Sequence, residues 1–194
     1  MVTAHAFAYA RGMFVHVTQR GNRGEPIFED DDDRAFFLSF FGRIVMRKNW
    51  SCFSYCLMSN HYHCVLRAEL KSLSHGMQWL HGLYAQYFNN KYGLSGHVFA
   101  GPYREWLIES ELHMLEACRY VELNPVRAGL CEHPRDWTWS SYRALTGLAP
   151  MPPFLSTESD TRPLGAAYEA FVEEGLRRVA NERMGFLARP VGAR

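Results

Sequence analysis

His61 and His63 stand two residues apart in a short apolar run, YCLMSNHYHCVL (Tyr55–Leu66), rich in strand formers and broken by Ser59-Asn60. Side chains on an extended strand alternate faces, so the two imidazoles share one face about 7 Å apart and can converge on a divalent ion. An isolated His-x-His is more often the mark of two partly exposed strand histidines. A second pair gives the first a use. Tyr120 and Asn124 lie four apart in ELHMLEACRYVELNPVRAGL (Glu111–Leu130), and residues at that spacing share a helix face, together with Glu116. Pro125 disfavours a helical Asn124, which predicts a helix end there and an amide oxygen free to act as a hard ligand. Two imidazoles and an amide oxygen leave a divalent ion open positions for phosphate oxygens, with a phenol beside it. That is a set for nucleophilic attack by tyrosine on phosphorus through a covalent phosphotyrosine.

The totals restrict the setting. The chain has 194 residues, 47% apolar and 21% charged, with a formal net charge of +1. That is an ordinary globular composition. It carries no global basic signature, so a polyanion site must be a local patch. The five cysteines (Cys52, Cys56, Cys64, Cys118, Cys131) form no CxxC pair, which argues for reduced thiols. Met1–Ala10 lacks the basic-then-apolar pattern of a secretory leader, and no apolar run reaches a membrane-spanning length. A soluble, cytoplasmic protein without membrane association is expected.

Several elements must position the two pairs. Residues 1–12 read as a loose lead-in. MFVHVTQR (Met13–Arg20) alternates as a strand, with His16 and Thr18 on the face opposite Val15 and Val17. His16 is either a half-buried strand residue or a third member of the histidine face. Gly21–Gly24 is turn chemistry, with Arg20 and Arg23 beside it as possible phosphate contacts. The acids Glu29–Asp33 precede an apolar stripe of Phe36, Phe37, Phe40, Phe41 and Ile44, and read as caps of a helix N-terminus rather than metal ligands. Ser51–Met58 and His61–Ala68 form a predicted hairpin about Ser59-Asn60, and Leu73–Tyr92 a long helix. Gly93–Ile108 is glycine-rich and aromatic. His97, Tyr103 and Arg104 there are either nucleic-acid contacts or parts of a plain loop entering a strand. Ser110 is the expected N-cap of the helix that carries Tyr120. Residues 147–163 read as a linker and Tyr168–Met184 as an amphipathic helix.

The blocks HVTQRGNRGEPIF (His16–Phe28), YCLMSNHYHCVL (Tyr55–Leu66), GHVFAGPYR (Gly96–Arg104), RYVELNPVRAGL (Arg119–Leu130) and WTWSSYRA (Trp137–Ala144) together resemble the single-tyrosine HUH transposases, specifically the REP-associated tyrosine transposases. The likeness runs from about residue 13 to 146. It implies an α+β fold, ferredoxin- or RRM-like, with an antiparallel sheet of four to five strands, packed helices and a C-terminal helical extension. The implied division is a transposase domain over 1–146, a linker over 147–163 and the extension over 164–194. The resemblance further implies nicking and rejoining of single-stranded DNA at hairpin-forming repeats through a 5′-phosphotyrosine and a free 3′-OH. Carried over by position, Tyr120 is the nucleophile and His61, His63 and Asn124 hold Mg²⁺ or Mn²⁺. Arg20, Arg23, His97, Tyr103, Arg104 and Arg127 are the candidate DNA contacts. Two departures stand out: Ser59 replaces the proline that relatives often carry before Asn-His, and the residue between the histidines is Tyr62. Tyr62 is also a second phenol, but it points away from both ligands. A non-cleaving, domesticated binder of hairpin DNA or RNA is the alternative. Histidine-based nucleotide hydrolases would need a further histidine or aspartate near Val65, and a closed zinc site would want cysteines. A monomer acting in cis is expected over a homodimer.

Overall fold

The computed structural model describes residues 12–157 and 163–187, the last eight of these by backbone alone. The lead-in up to residue 11, residues 158–162 of the expected linker and the tail from 188 lie outside the described residues. Four strands, β1 (Met13–Arg20), β2 (Ser51–Leu57), β3 (His61–Ala68) and β4 (Arg104–Ile108), form one antiparallel sheet in the order β2-β3-β1-β4. Helices α1 (Asp31–Arg47), α2 (Leu70–Tyr92), α3 (Glu111–Glu122), α4 (Asn124–Arg127), α5 (Tyr142–Leu145) and α6 (Ala166–Leu187) complete an α+β fold with a C-terminal helix.

The alternation of each strand sorts its side chains into two cores. Val15, Val17, Tyr62, Cys64 and Leu66 join Phe37, Phe41, Leu80 and Tyr84 of α1 and α2. On the opposite face, Phe53, Cys56, Val65 and Ile108 pack against Met114, Cys118 and Val121 of α3. His61 and His63 share the face of Val65, so they lie on the α3 side of the sheet. The register fixes their neighbours: Arg20 pairs with His61 and Thr18 with His63 across β1–β3, while His16 pairs with Trp106 across β1–β4. Tyr62 faces away as the alternation requires. It is 1% exposed, and its hydroxyl is hydrogen-bonded to His81 Nε2 at 2.7 Å.

The acidic run caps α1 as expected. Asp30 is the N-cap, its side chain accepts from the Asp33 amide, and Asp33 completes a reciprocal capping box. Lys91 at the end of α2 bridges Asp30 and Asp33. The outer edge of β2 is covered by segments downstream of α4: Leu57 N–H donates to Trp139 O, Ser141 N–H to Tyr55 O and Ser156 N–H to Cys52 O. Those bonds satisfy an edge that would otherwise invite strand addition. Phe154 and Leu155, inside the expected linker, pack into the main core. On the back of α3, α6 meets buried Arg119. Its Nη1 donates to Phe171 O at 3.3 Å, and its guanidinium lies 4.5 Å from the Phe171 ring centre. Gly175 makes the approach possible, since a Cβ there would stand 2.7 Å from Arg119 Cδ and 2.9 Å from Leu123 Cδ1.

Candidate active site

Tyr120 lies on the sheet-facing side of α3 and is 43% exposed, an open position for a phenol. Its ring centre is 5.8 Å from that of His63 and 5.9 Å from that of His16. His61 and His63 have ring centres 5.0 Å apart and nearly perpendicular planes. Tyr120 and His63, 57 residues apart in the chain, therefore meet.

A hydrogen bond decides which nitrogen His61 offers. Asn60 Nδ2 donates to Gly24 O at 2.9 Å, which turns Asn60 Oδ1 toward His61 Nδ1 at 2.8 Å. An amide oxygen only accepts, so His61 carries its proton on Nδ1 and leaves Nε2 with a lone pair. Ser59-Asn60 is held in place by the β1–α1 loop. Gly21 N–H donates to Asn60 O, and Ile27 and Phe28 N–H both donate to Ser59 O. His63 Nδ1 lies 3.0 Å from His16 Nε2. When His63 offers Nε2 as its lone pair, its Nδ1–H donates to His16. Burial lowers the pKa of His61, of His16 to about 4 and of His63 to about 3, the last helped by the two neighbouring imidazoles. All three are neutral at physiological pH, the form that binds metal.

Asn124 is 8% exposed, and its Nδ2 donates to Tyr120 O at 3.0 Å, leaving Oδ1 as the uncommitted acceptor. Against the expectation of a non-helical Asn124, the backbone resumes helix at that residue after a single break. α3 stops at Glu122, Leu123 stays near helical dihedrals, and α4 begins at Asn124 with Pro125 in its first turn, where a missing N–H costs least. Among the described residues no three His, Cys, Asp or Glu side chains form a metal cluster. Neutral imidazoles and an amide oxygen are donor types that a divalent ion accepts, so the residue types fit the group.

Beside the histidines a hollow of about 750 Å³ is lined by Arg20, Arg23, Arg104, Asn60, His61, His63 and Trp106 among others. Three of the candidate DNA contacts thus share one cleft with the histidines. Arg127 sits elsewhere at the site, its guanidinium 5.6 Å from the Tyr120 ring centre. His97 lines a separate hollow with Asn22, His81 and Phe99. Tyr103 is half-buried, 6.3 Å from the His81 ring. Asn124 lines neither the arginine cleft nor the smaller hollow beside Tyr120. Burial raises the Tyr103 hydroxyl to about 12, with Glu105 adding to it.

Three residues at this site carried too little local signal to assign. His16 sits in the histidine layer through its bond to His63. Trp106 is 49% exposed, stacked on His16 with ring centres 5.4 Å apart. Glu122 is fully buried between α3 and β2, accepting from Ser54 and Ser141 hydroxyls, and burial raises it to about 7 against the pull of those donors. The period-2 run Arg104, Trp106, Ile108 was the available signal for Trp106.

The family model described as IS200-like transposase matches residues 10–124, more than half of the chain. A solved structure of a REP-associated tyrosine transposase bound to a REP hairpin superposes with a TM-score of 0.59 at 15% sequence identity, covering 78% of this chain and 89% of that one. At that identity the likeness shows a shared fold. No curated protein matches the chain.

Proposed function

The chain belongs to the IS200-like transposase family, and from that premise we propose that it nicks and rejoins single-stranded DNA beside hairpin-forming repeats, with Tyr120 as nucleophile. The observation that carries the reading is the meeting of an open phenol with two neutral histidines, His61 among them held to one tautomer, beside an arginine-lined cleft. The hairpin bound by the structural neighbour supports a hairpin substrate for this chain as well.

Tyr120 Oη attacks the scissile phosphorus. The P–O3′ bond breaks as the P–O(Tyr) bond forms, the phenolic proton is lost, and the departing 3′ oxygen gains one. The 5′ end stays on the enzyme as a phosphodiester of nearly unchanged energy. A 3′-OH can later attack it, release Tyr120 and reseal the strand without an external energy source. His61, His63 and Asn124 would hold Mg²⁺ or Mn²⁺. When bound, the ion supplies a Lewis acid that polarises the phosphate and favours the phenolate. Arg20, Arg23 and Arg104 hold the strand by its phosphates, and Arg127 adds positive charge beside the phenol.

The test is a denaturing gel. Labelled single strands bearing a hairpin, incubated with Mg²⁺ or Mn²⁺, are expected to yield a protein–DNA adduct that EDTA and Tyr120→Phe both abolish. The same variant should keep the native gel shift. An adduct formed equally by Tyr120→Phe would remove Tyr120 from the reaction. A retained shift with no adduct from any hairpin would make the chain a binding module.

A further inference from the structure

We propose that the slot between β4 and α3 is a nucleobase subsite, which takes the unpaired base next to the scissile phosphate by stacking it on Trp106. The inference deepens the reading above and rests on it for the identity of the strand. The slot has a volume of about 430 Å³. It is lined by Trp106 and Leu107 of β4, His113 and Tyr120 of α3, and His16 and His63 of β1 and β3. That volume is within the range of small-ligand sites.

Three features point to a base. Trp106 presents a large aromatic surface, 49% exposed, beside the phenol that would be joined to DNA. Its indole is also set in advance, because it stacks on His16 at an interplanar angle of 29°, and His16 stacks on His63 at 5.1 Å and 25°. A ring held from behind loses little conformational freedom when a base settles on it. Finally, Trp106 lines both this slot and the cleft that holds Arg20, Arg23 and Arg104. A backbone in that cleft can place one base in the slot, the pairing of electrostatic groove and stacking platform that single strands use. A paired base has both faces occupied by its neighbours, so the subsite selects an unpaired nucleotide.

The experiment uses the full chain and hairpin-bearing oligonucleotides with 2-aminopurine placed in turn at each unpaired position. One position is expected to change fluorescence on binding, and Trp106→Ala should erase that change. It should also weaken binding roughly 5- to 150-fold, the span base–aromatic stacking is worth per base. Trp106→Phe keeps a ring and should retain most of both signals, which separates stacking from misfolding. An abasic site at the responsive position should weaken the wild type by the same factor and weaken Trp106→Ala no further. Wild-type affinity in Trp106→Ala, or losses that multiply between the variant and the abasic site, would overturn the subsite. Trp106-dependent binding without a Tyr120-dependent adduct would sink the proposed reaction and leave the subsite standing. Failure to bind any oligonucleotide would overturn both.

Discussion

At the residue scale, the orientation of one imidazole governs what the site can hold. The group at His63 Nδ1 is another histidine, His16. Such a partner fixes ring orientation and raises the basicity of the nitrogen that faces a metal, and its loss costs about 10- to 100-fold in metal affinity. His16→Phe preserves a ring against Trp106 but removes the acceptor. Its affinity for Mn²⁺, followed by the electron paramagnetic resonance of the free ion, is therefore expected to fall by about that factor, and His16→Gln to recover part of it. Equal affinity in His16→Phe would make His16 a packing residue only. The measurement reads metal binding without depending on cleavage.

At the element scale, α3 carries Tyr120 and leads directly into α4, which begins at Asn124, and α3 is held from two sides. Arg119 is clamped by α6 through Phe171 and, at 3.7 Å, Glu174, while Glu122 is tied to β2 and to Ser141. The second anchor has a pH dependence. With its folded-state pKa near 7 and an ordinary value of 4.5, Glu122 keeps a proton in the folded chain that the unfolded chain gives up. Stability therefore falls as pH rises from about 4.5 through about 7. Glu122→Gln keeps an acceptor for the serine hydroxyls and does not ionise. Relative to wild type it is expected to gain on the order of 2–3 kcal/mol between pH 5 and pH 8, read by denaturant unfolding at each pH. A difference between the two proteins that is constant across that range would show that Glu122 does not titrate there.

At the scale of the whole molecule, a net charge of +1 hides an uneven surface. Positive side chains gather at the cleft beside His61 and His63, and the acids of α1 are absorbed by capping and by Lys91. DNA binding should therefore depend on salt through a few contacts rather than through the global charge. Each phosphate contact to a single strand adds about 0.7 to the slope of log affinity against log salt. The triple variant Arg20→Ala, Arg23→Ala, Arg104→Ala is expected to lower that slope by about 2. His97→Ala, in a separate hollow, should leave it unchanged. An unaltered slope in the triple variant would place the strand elsewhere. Among the described residues no helix is long and apolar enough to cross a membrane.

The sequence by itself determined the periodic elements and the two spacings that matter. Strand alternation put His61 and His63 on one face and Tyr62 on the other, and helix periodicity stacked Tyr120 over Asn124, because both periods are properties of local backbone geometry. The acidic run was likewise legible as a cap, since capping is satisfied within one turn. Tertiary structure alone decided which separate segments meet. His16 reached the histidine layer, and Trp106 came to lie over His16, through strand pairings of long sequence separation, where a slip of one residue would have sent both to the opposite face. Glu122 became an anchor because α3 packs on β2, and the candidate contacts divided among the arginine cleft, the phenol and a separate hollow against α2 for the same reason. Composition gives the energy of burial but not its address, and the address is what makes these residues a site.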